Sequence, residues 1–137
     1  MDASSNFQSS LPISSDSLLK QLDKWGIIYK RYDHKPLQTV EDSKEIQDKF
    51  LHTQEGGGHT KNLYLRDKKK KNVLLIAEQD TNINLKTLSK AIGCGNLSFG
   101  SPERLMQNLG IRPGAVTPLS MINGVQNNVL LFMDSSL

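Results

Sequence analysis

Lys61 closes a run, Gly56-Gly57-Gly58-His59-Thr60-Lys61, that turns directly into the alternating segment Asn62-Leu63-Tyr64-Leu65. Glycines let the backbone approach a ligand closely, and a strand start holds the lysine after them in one place. A fixed ammonium there can face a phosphate or donate to the carbonyl of a reacting ester. The commoner fate of a lysine at a strand start is plain solvation. The glycines match neither the GxxxxGK[ST] nor the GxGxxG pattern, so ATP and dinucleotides are not indicated. A second stretch, Gly114-Ala115-Val116-Thr117-Pro118, can present backbone N–H groups to an oxyanion; on spacing alone a rigid turn is the simpler reading. His34 and His59 carry neutral imidazole near pH 7 and can serve as bases, although a loop histidine bonded to backbone accounts for either. Cys94, between two glycines, has no activating neighbour and reads as a small buried residue after a helix end. The carboxylates lie scattered on helix faces without a catalytic pair. No Cys/His spacing suggests zinc.

The elements that must position these residues alternate between α and β. Ser14, Ser15 and Asp16 offer caps for a helix carrying Leu18, Leu22 and Trp25, with Trp25 expected in the core and Gly26 as its stop. Ile27 to Tyr32 is β-rich and predicts a strand. Thr39 and Asp42 form a capping pair for a helix with Ile46 and Phe50 on its inner face. Leu63 and Leu65 alternate with polar neighbours, and Val73-Leu74-Leu75-Ile76-Ala77 is continuously apolar. Together they predict a hairpin whose second strand is buried on both faces. Asn82 or Asn84 caps a helix with Leu85, Leu88 and Ile92; Leu97 to Phe99 is a short strand. Ser101-Pro102 opens a helix with Leu105 and Leu109 inward and Gly110 at its end. Leu119 to Ile122 is a short apolar piece, Asn123-Gly124 a turn, and Val129 to Met133 a last strand. The order predicts a mixed sheet wrapped by helices.

The chain has 137 residues, 36% hydrophobic and 23% charged, with a formal net charge of +3. This is one domain with a real core. Residues 1–14 read as a flexible Ser-rich leader and 15–137 as the domain. No apolar run is long enough to span a membrane, and a single cysteine makes a reducing cytoplasm the expected setting. Charge concentrates in Lys68-Lys69-Lys70-Lys71 at the predicted hairpin tip. Such a run is a solvated turn by default; its sharper reading is a non-specific, salt-sensitive contact with a phosphate backbone.

Several stretches taken together resemble a known family. They are His34-Lys35-Pro36-Leu37-Gln38-Thr39-Val40-Glu41, Gly57 through Asp67, Ser101-Pro102-Glu103-Arg104-Leu105, and Gly114-Ala115-Val116-Thr117-Pro118-Leu119 followed by Ile122-Asn123. In this order and spacing the chain resembles the YbaK-like superfamily of trans-editing aminoacyl-tRNA deacylases, above all the free-standing prolyl-tRNA-synthetase-associated domain. The resemblance implies an α/β (α+β) fold with a mixed, barrel-like β-sheet surrounded by helices. It implies hydrolysis of the ester of mischarged tRNA, alanine on tRNA(Pro), with no cofactor and no metal. Lys61 stands at the place of the family's invariant lysine. Gly114 to Pro118 stands at its Gly-x-x-x-Pro loop, whose backbone positions the aminoacyl carbonyl. Lys61 and Gly114 are thus the implied catalytic positions, with His59, Thr60, Asn62, Ala115, Val116, Thr117 and Pro118 around the substrate. Aminoacyl-tRNA is the implied partner, with prolyl-tRNA synthetase as a further one. Relatives continue beyond Leu137, so the reading expects a C-terminally truncated domain. A tRNA- or synthetase-binding module of the same fold without turnover is the alternative, and a hydrolase of another small aminoacyl ester a weaker third.

Overall fold

The computed structural model describes residues 5–35, 37, 39–47 and 56–137. The helix-capping signals act where expected. Ser14 accepts from the N–H of Ser17 and opens α1 (Ser15–Lys24). Thr39 and Asp42 make a reciprocal capping box for α2 (Val40–Lys44). α2 is shorter than predicted; Ile46 is buried just past it, and Phe50 lies outside the described residues. Asn84 caps α3 (Leu85–Ala91), and Ser101 with Pro102 opens α4 (Pro102–Leu109). Gly110 ends α4 in the left-handed conformation at φ 68, where a side chain would also strike the Asn123 amide.

The hairpin is β1 (Thr60–Arg66) against β2 (Asn72–Glu78), antiparallel from Thr60↔Glu78 to Arg66↔Asn72. β3 (Ser98–Phe99) adds antiparallel to β1 at Leu65 and Arg66 only. β4 (Val129–Met133) adds parallel to β2. The order is β3-β1-β2-β4. This is the expected mixed sheet flanked by helices. Among the described residues it is open, with β3 and β4 as its edges, instead of closing towards a barrel.

Val73 through Ala77 are all buried, because both faces of β2 are covered. On one face Tyr64, Leu74 and Ile76 pack with Leu105 and Leu109 of α4 and Val129. On the other, Leu65, Val73 and Leu75 pack with Leu97 and with Leu85, Leu88 and Ile92. Each such buried side chain contributes about 1.5–3 kcal/mol.

Three local expectations are corrected. Ile27 to Tyr32 forms no strand, and Ile28 is 98% exposed. The β-propensity of that run has no neighbouring strand to pair with among the described residues, and propensity without pairing makes no ladder. Trp25, expected in the core, is 57% exposed, since α1 buries its inner face through Leu22 and ends before the tryptophan. Asn123-Gly124 is no turn. Thr117 caps a 3-10 turn over Pro118–Ser120 that runs into α5 (Met121–Gly124), and buried Asn123 donates to the carbonyl of Leu109 at 3.1 Å. Ahead of α1, Ser5–Ser10 is a 3-10 helix. Gln8 accepts from the N–H of Ser15, and Ser10 accepts from Arg112. Among the described residues no helix is long and apolar enough to cross a membrane.

Candidate functional site

The segment between α4 and α5 has no hydrophobic periodicity, two prolines and a glycine, so it must be held by side chains from outside. Ala115 N–H closes a turn onto Arg112 O at 3.1 Å, and Gly114 takes φ 85 to make it. The Asn62 amide reaches from β1 and donates to Val116 O at 2.8 Å. Thr117 Oγ1 accepts from Leu119 N–H at 3.2 Å. The N–H groups of Val116 and Thr117 have no acceptor among the described residues.

This loop is one wall of a cleft of about 630 Å³, a size that holds a small ligand. The facing wall comes from Leu18 and Leu19 of α1 and from Arg31 to His34. Arg31 pairs with Asp33 at 3.0 Å and lies 3.9 Å from Asp16, so the irregular segment is tied to the first turn of α1. These pairs are half-exposed or more and contribute at most about 1 kcal/mol each. A smaller hollow of about 170 Å³ adjoins it through His34, Leu37 and Ser43, and His59 and Thr60 line its far side. Lys44 to Asp80 at 2.9 Å and Gln47 to Gln79 at 2.7 Å hold the α2 region against the end of β2.

The sequence-predicted site residues therefore divide. Gly114, Ala115, Val116 and Thr117 line the main cleft, and His59 and Thr60 line the hollow beside it. Pro118 starts the 3-10 turn behind the loop. Asn62 joins strand to loop. Lys61 is apart: successive strand residues face opposite sides, so it leaves β1 on the α3 side, and its ammonium donates to Thr81 O. Thr81 is in turn bonded to Asp134 at 3.4 Å. Backbone and side-chain bonds from Ser136, outweighing burial, hold the Asp134 carboxyl below the usual carboxylate range. β3 covers β1 only at Leu65 and Arg66, so beside Lys61 that edge of β1 is open among the described residues. Lys68 to Lys71 are exposed at the other end of the hairpin. Cys94 is half-buried against the α3 cluster.

Two features escaped the sequence reading. Leu18, Leu19 and Tyr32 wall the cleft; their signal was an apolar pair on α1 wider than one helical stripe needs. Asp67 is 1% exposed beneath four lysines, where a lone turn aspartate gives no sign of burial. Among the described residues no group of three His, Cys, Asp or Glu side chains could hold a metal.

Comparison with known proteins bears on this arrangement. A sequence model described as an aminoacyl-tRNA editing domain matches residues 34–137. The chain is 33% identical over 125 residues to the prolyl-tRNA editing protein ProX of Acetoanaerobium sticklandii, covering 90% of this chain and 73% of that one. It is 38% identical over 108 residues to the putative prolyl-tRNA synthetase associated domain-containing protein 1 of Homo sapiens, 77% of this chain and 61% of the relative. Against the Xenopus laevis protein of that name it spans 48% of the relative's length. The crystal structure of a hypothetical protein superposes with a TM-score of 0.66 at 16% identity, over 88% of this chain and 74% of that one, a likeness of fold. Since the editing-domain match takes in the cleft loop, the whole sheet and well over half of the residues, the chain belongs to the aminoacyl-tRNA editing domain family.

Proposed function

We propose that this chain is a trans-editing aminoacyl-tRNA deacylase that clears alanine from mischarged tRNA(Pro) in the cytoplasm. The observation that carries the reading is the Gly114–Thr117 loop, held by Asn62 as one wall of the cleft with two adjacent N–H groups unengaged. An aminoacyl ester is already activated, so little more is needed than orientation, a placed water and donors for the oxyanion. Water adds to the ester carbonyl carbon, the N–H groups of Val116 and Thr117 receive the negative oxygen, and the ribose oxygen leaves with a proton. Leu18, Leu19 and Val116 give the amino-acid side chain an apolar seat. Asp16 and Asp33 offer its ammonium a counter-charge. Exclusion of proline is largely steric, because each methylene in an apolar pocket is worth only about 1–3 kcal/mol. The reading gives Lys61 the role of orienting the substrate, which from its place on the α3 side requires its ammonium to leave Thr81 O. His59 and Thr60 support the ribose side.

The Lys61–Thr81 bond favours one other reading, a tRNA- or synthetase-binding module without turnover. Single-turnover hydrolysis of Ala-tRNA(Pro) separates the two. The deacylase reading expects alanine release by the wild type and a fall of at least about 100-fold in Lys61→Ala, the scale of losing one oxyanion-type contact. Equal, slow release by both proteins would leave the module.

A further inference from the structure

The two ends of the hairpin differ in character. Its Thr60/Glu78 end adjoins the cleft loop. Its other end carries Lys68 to Lys71, exposed and with no carboxylate in ion-pair distance among the described residues. Arg31, Lys35 and Lys44 are paired elsewhere; other lysines such as Lys20, Lys24 and Lys86 are exposed singly, so the tip is set apart by four cations in succession. Four like charges on a turn repel one another and should splay the chain. Here the turn is closed by Asp67 instead. Its buried carboxylate accepts from Lys71 N–H at 2.8 Å and from Gly95 N–H, in the loop after α3, at 3.2 Å. Its backbone is bonded both ways, Asp67 N–H to Lys71 O at 3.0 Å and Lys70 N–H to Asp67 O at 3.1 Å. Lys70 sits at φ 65, a conformation that normally selects glycine or asparagine. Lys70 thus puts a charge where a bare turn would take a residue without one.

We propose that Asp67 is a positioning residue for tRNA binding. By fixing the turn and anchoring it to the Gly95 loop, it presents the four ammonium groups as one rigid cationic surface for RNA phosphates. This rests on the aminoacyl-tRNA reading above. Seven strand residues at about 3.3 Å each separate the two ends by roughly 20 Å. At about 3.4 Å per stacked nucleotide that is roughly six steps from the ester. An RNA strand laid along the hairpin would bring this surface to phosphates about six nucleotides from the ester.

The test compares wild type, Asp67→Asn, a fourfold Lys68–Lys71→Gln variant and their combination, using uncharged tRNA for binding against salt and Ala-tRNA(Pro) for steady-state kinetics. The fourfold variant is expected to flatten the slope of log K against log salt by up to about 3.5, at roughly 0.7–0.9 per lost phosphate contact. Asp67→Asn, which retains a single acceptor oxygen, should flatten it by about 1 and raise KM while leaving kcat in place. In the lysine-free background Asp67→Asn should add nothing further. An unchanged slope in Asp67→Asn, or an equal additional loss in the lysine-free background, would overturn the proposal and leave Asp67 as a fold residue alone. The binding arm needs no turnover, so a wild type that binds tRNA but releases no alanine would sink the deacylase reading without touching this test.

Discussion

The Asn62 carboxamide and Val116 O, 2.8 Å apart, connect the most regular part of the molecule to its least regular part. Asn62→Ala is expected to lower stability by only about 0.5–1.5 kcal/mol, the net worth of one such bond. It should lower kcat/KM by tenfold or more, since a misplacement near 1 Å can cost about 100-fold. Asn62→Asp should be worse than alanine, because a carboxylate cannot donate to a carbonyl and repels it. Melting temperature and deacylation rate, read together, check both statements, and an aspartate as active as wild type would refute the loop-holding role. The type of residue needed at this point was legible in the sequence, but its use was not. A polar side chain at the start of a strand reads the same whether it touches a substrate or holds the loop that does. Lys61 shows the same limit. Its place after the glycines was plain, while the direction of its ammonium depends on strand parity and on Thr81, twenty positions on.

Among the elements, the hairpin was legible as two strands joined by a basic turn. Alternation in β1, a continuous apolar run in β2 and a polar turn between them define it, while the register, with Arg66 opposite Asn72, comes from the structure. Strong caps made α1, α3 and α4 equally readable. What failed was the stretch from Trp25 to Tyr32, where β-rich composition meets no pairing partner among the described residues, and the Leu119–Gly124 piece, where a threonine cap and a proline outweigh an Asn-Gly turn signal. Within the hairpin, Lys70 at φ 65 carries a steric cost. Lys70→Gly is expected to raise unfolding free energy by about 1 kcal/mol, within the 1–2 kcal/mol range for relieving a left-handed residue. The same substitution removes one tip charge and should weaken tRNA binding at low salt. Chemical denaturation and a binding isotherm on one preparation reveal the opposition; loss of stability in the glycine variant would count against the assigned turn.

Over the whole molecule, two carboxylates link fold to pH. Burial raises the Asp67 carboxyl, but backbone N–H groups of Lys71, Gly95 and Lys69 and the Lys71 charge outweigh it and hold it below the usual range. Asp134 is lowered likewise. A depressed folded-state value gives stability that is fully present above the unfolded value, near 3.9 for aspartate. It is lost as pH falls through the folded values below that. The melting temperature should therefore change little through these two groups from about pH 8 to 5 and drop below about pH 4; Asp67→Asn should shrink the acid limb, and an unaltered limb would contradict the linkage. The parallel pairing of β4 with β2 has a different consequence. Asn72 meets Val129, so the cleft loop is one part of a long chain closure that also contains α3, β3, α4 and α5. Within it the Asn123 bond to Leu109 O closes a shorter span of 14 residues around the loop; closure entropy varies only as the logarithm of length, so three residues added there alter it by roughly 0.2 kcal/mol. Chain closure thus barely opposes a longer Gly114–Thr117 wall, and the cost of changing its length falls on the local bonds of Ala115, Val116 and Thr117 that shape the pocket.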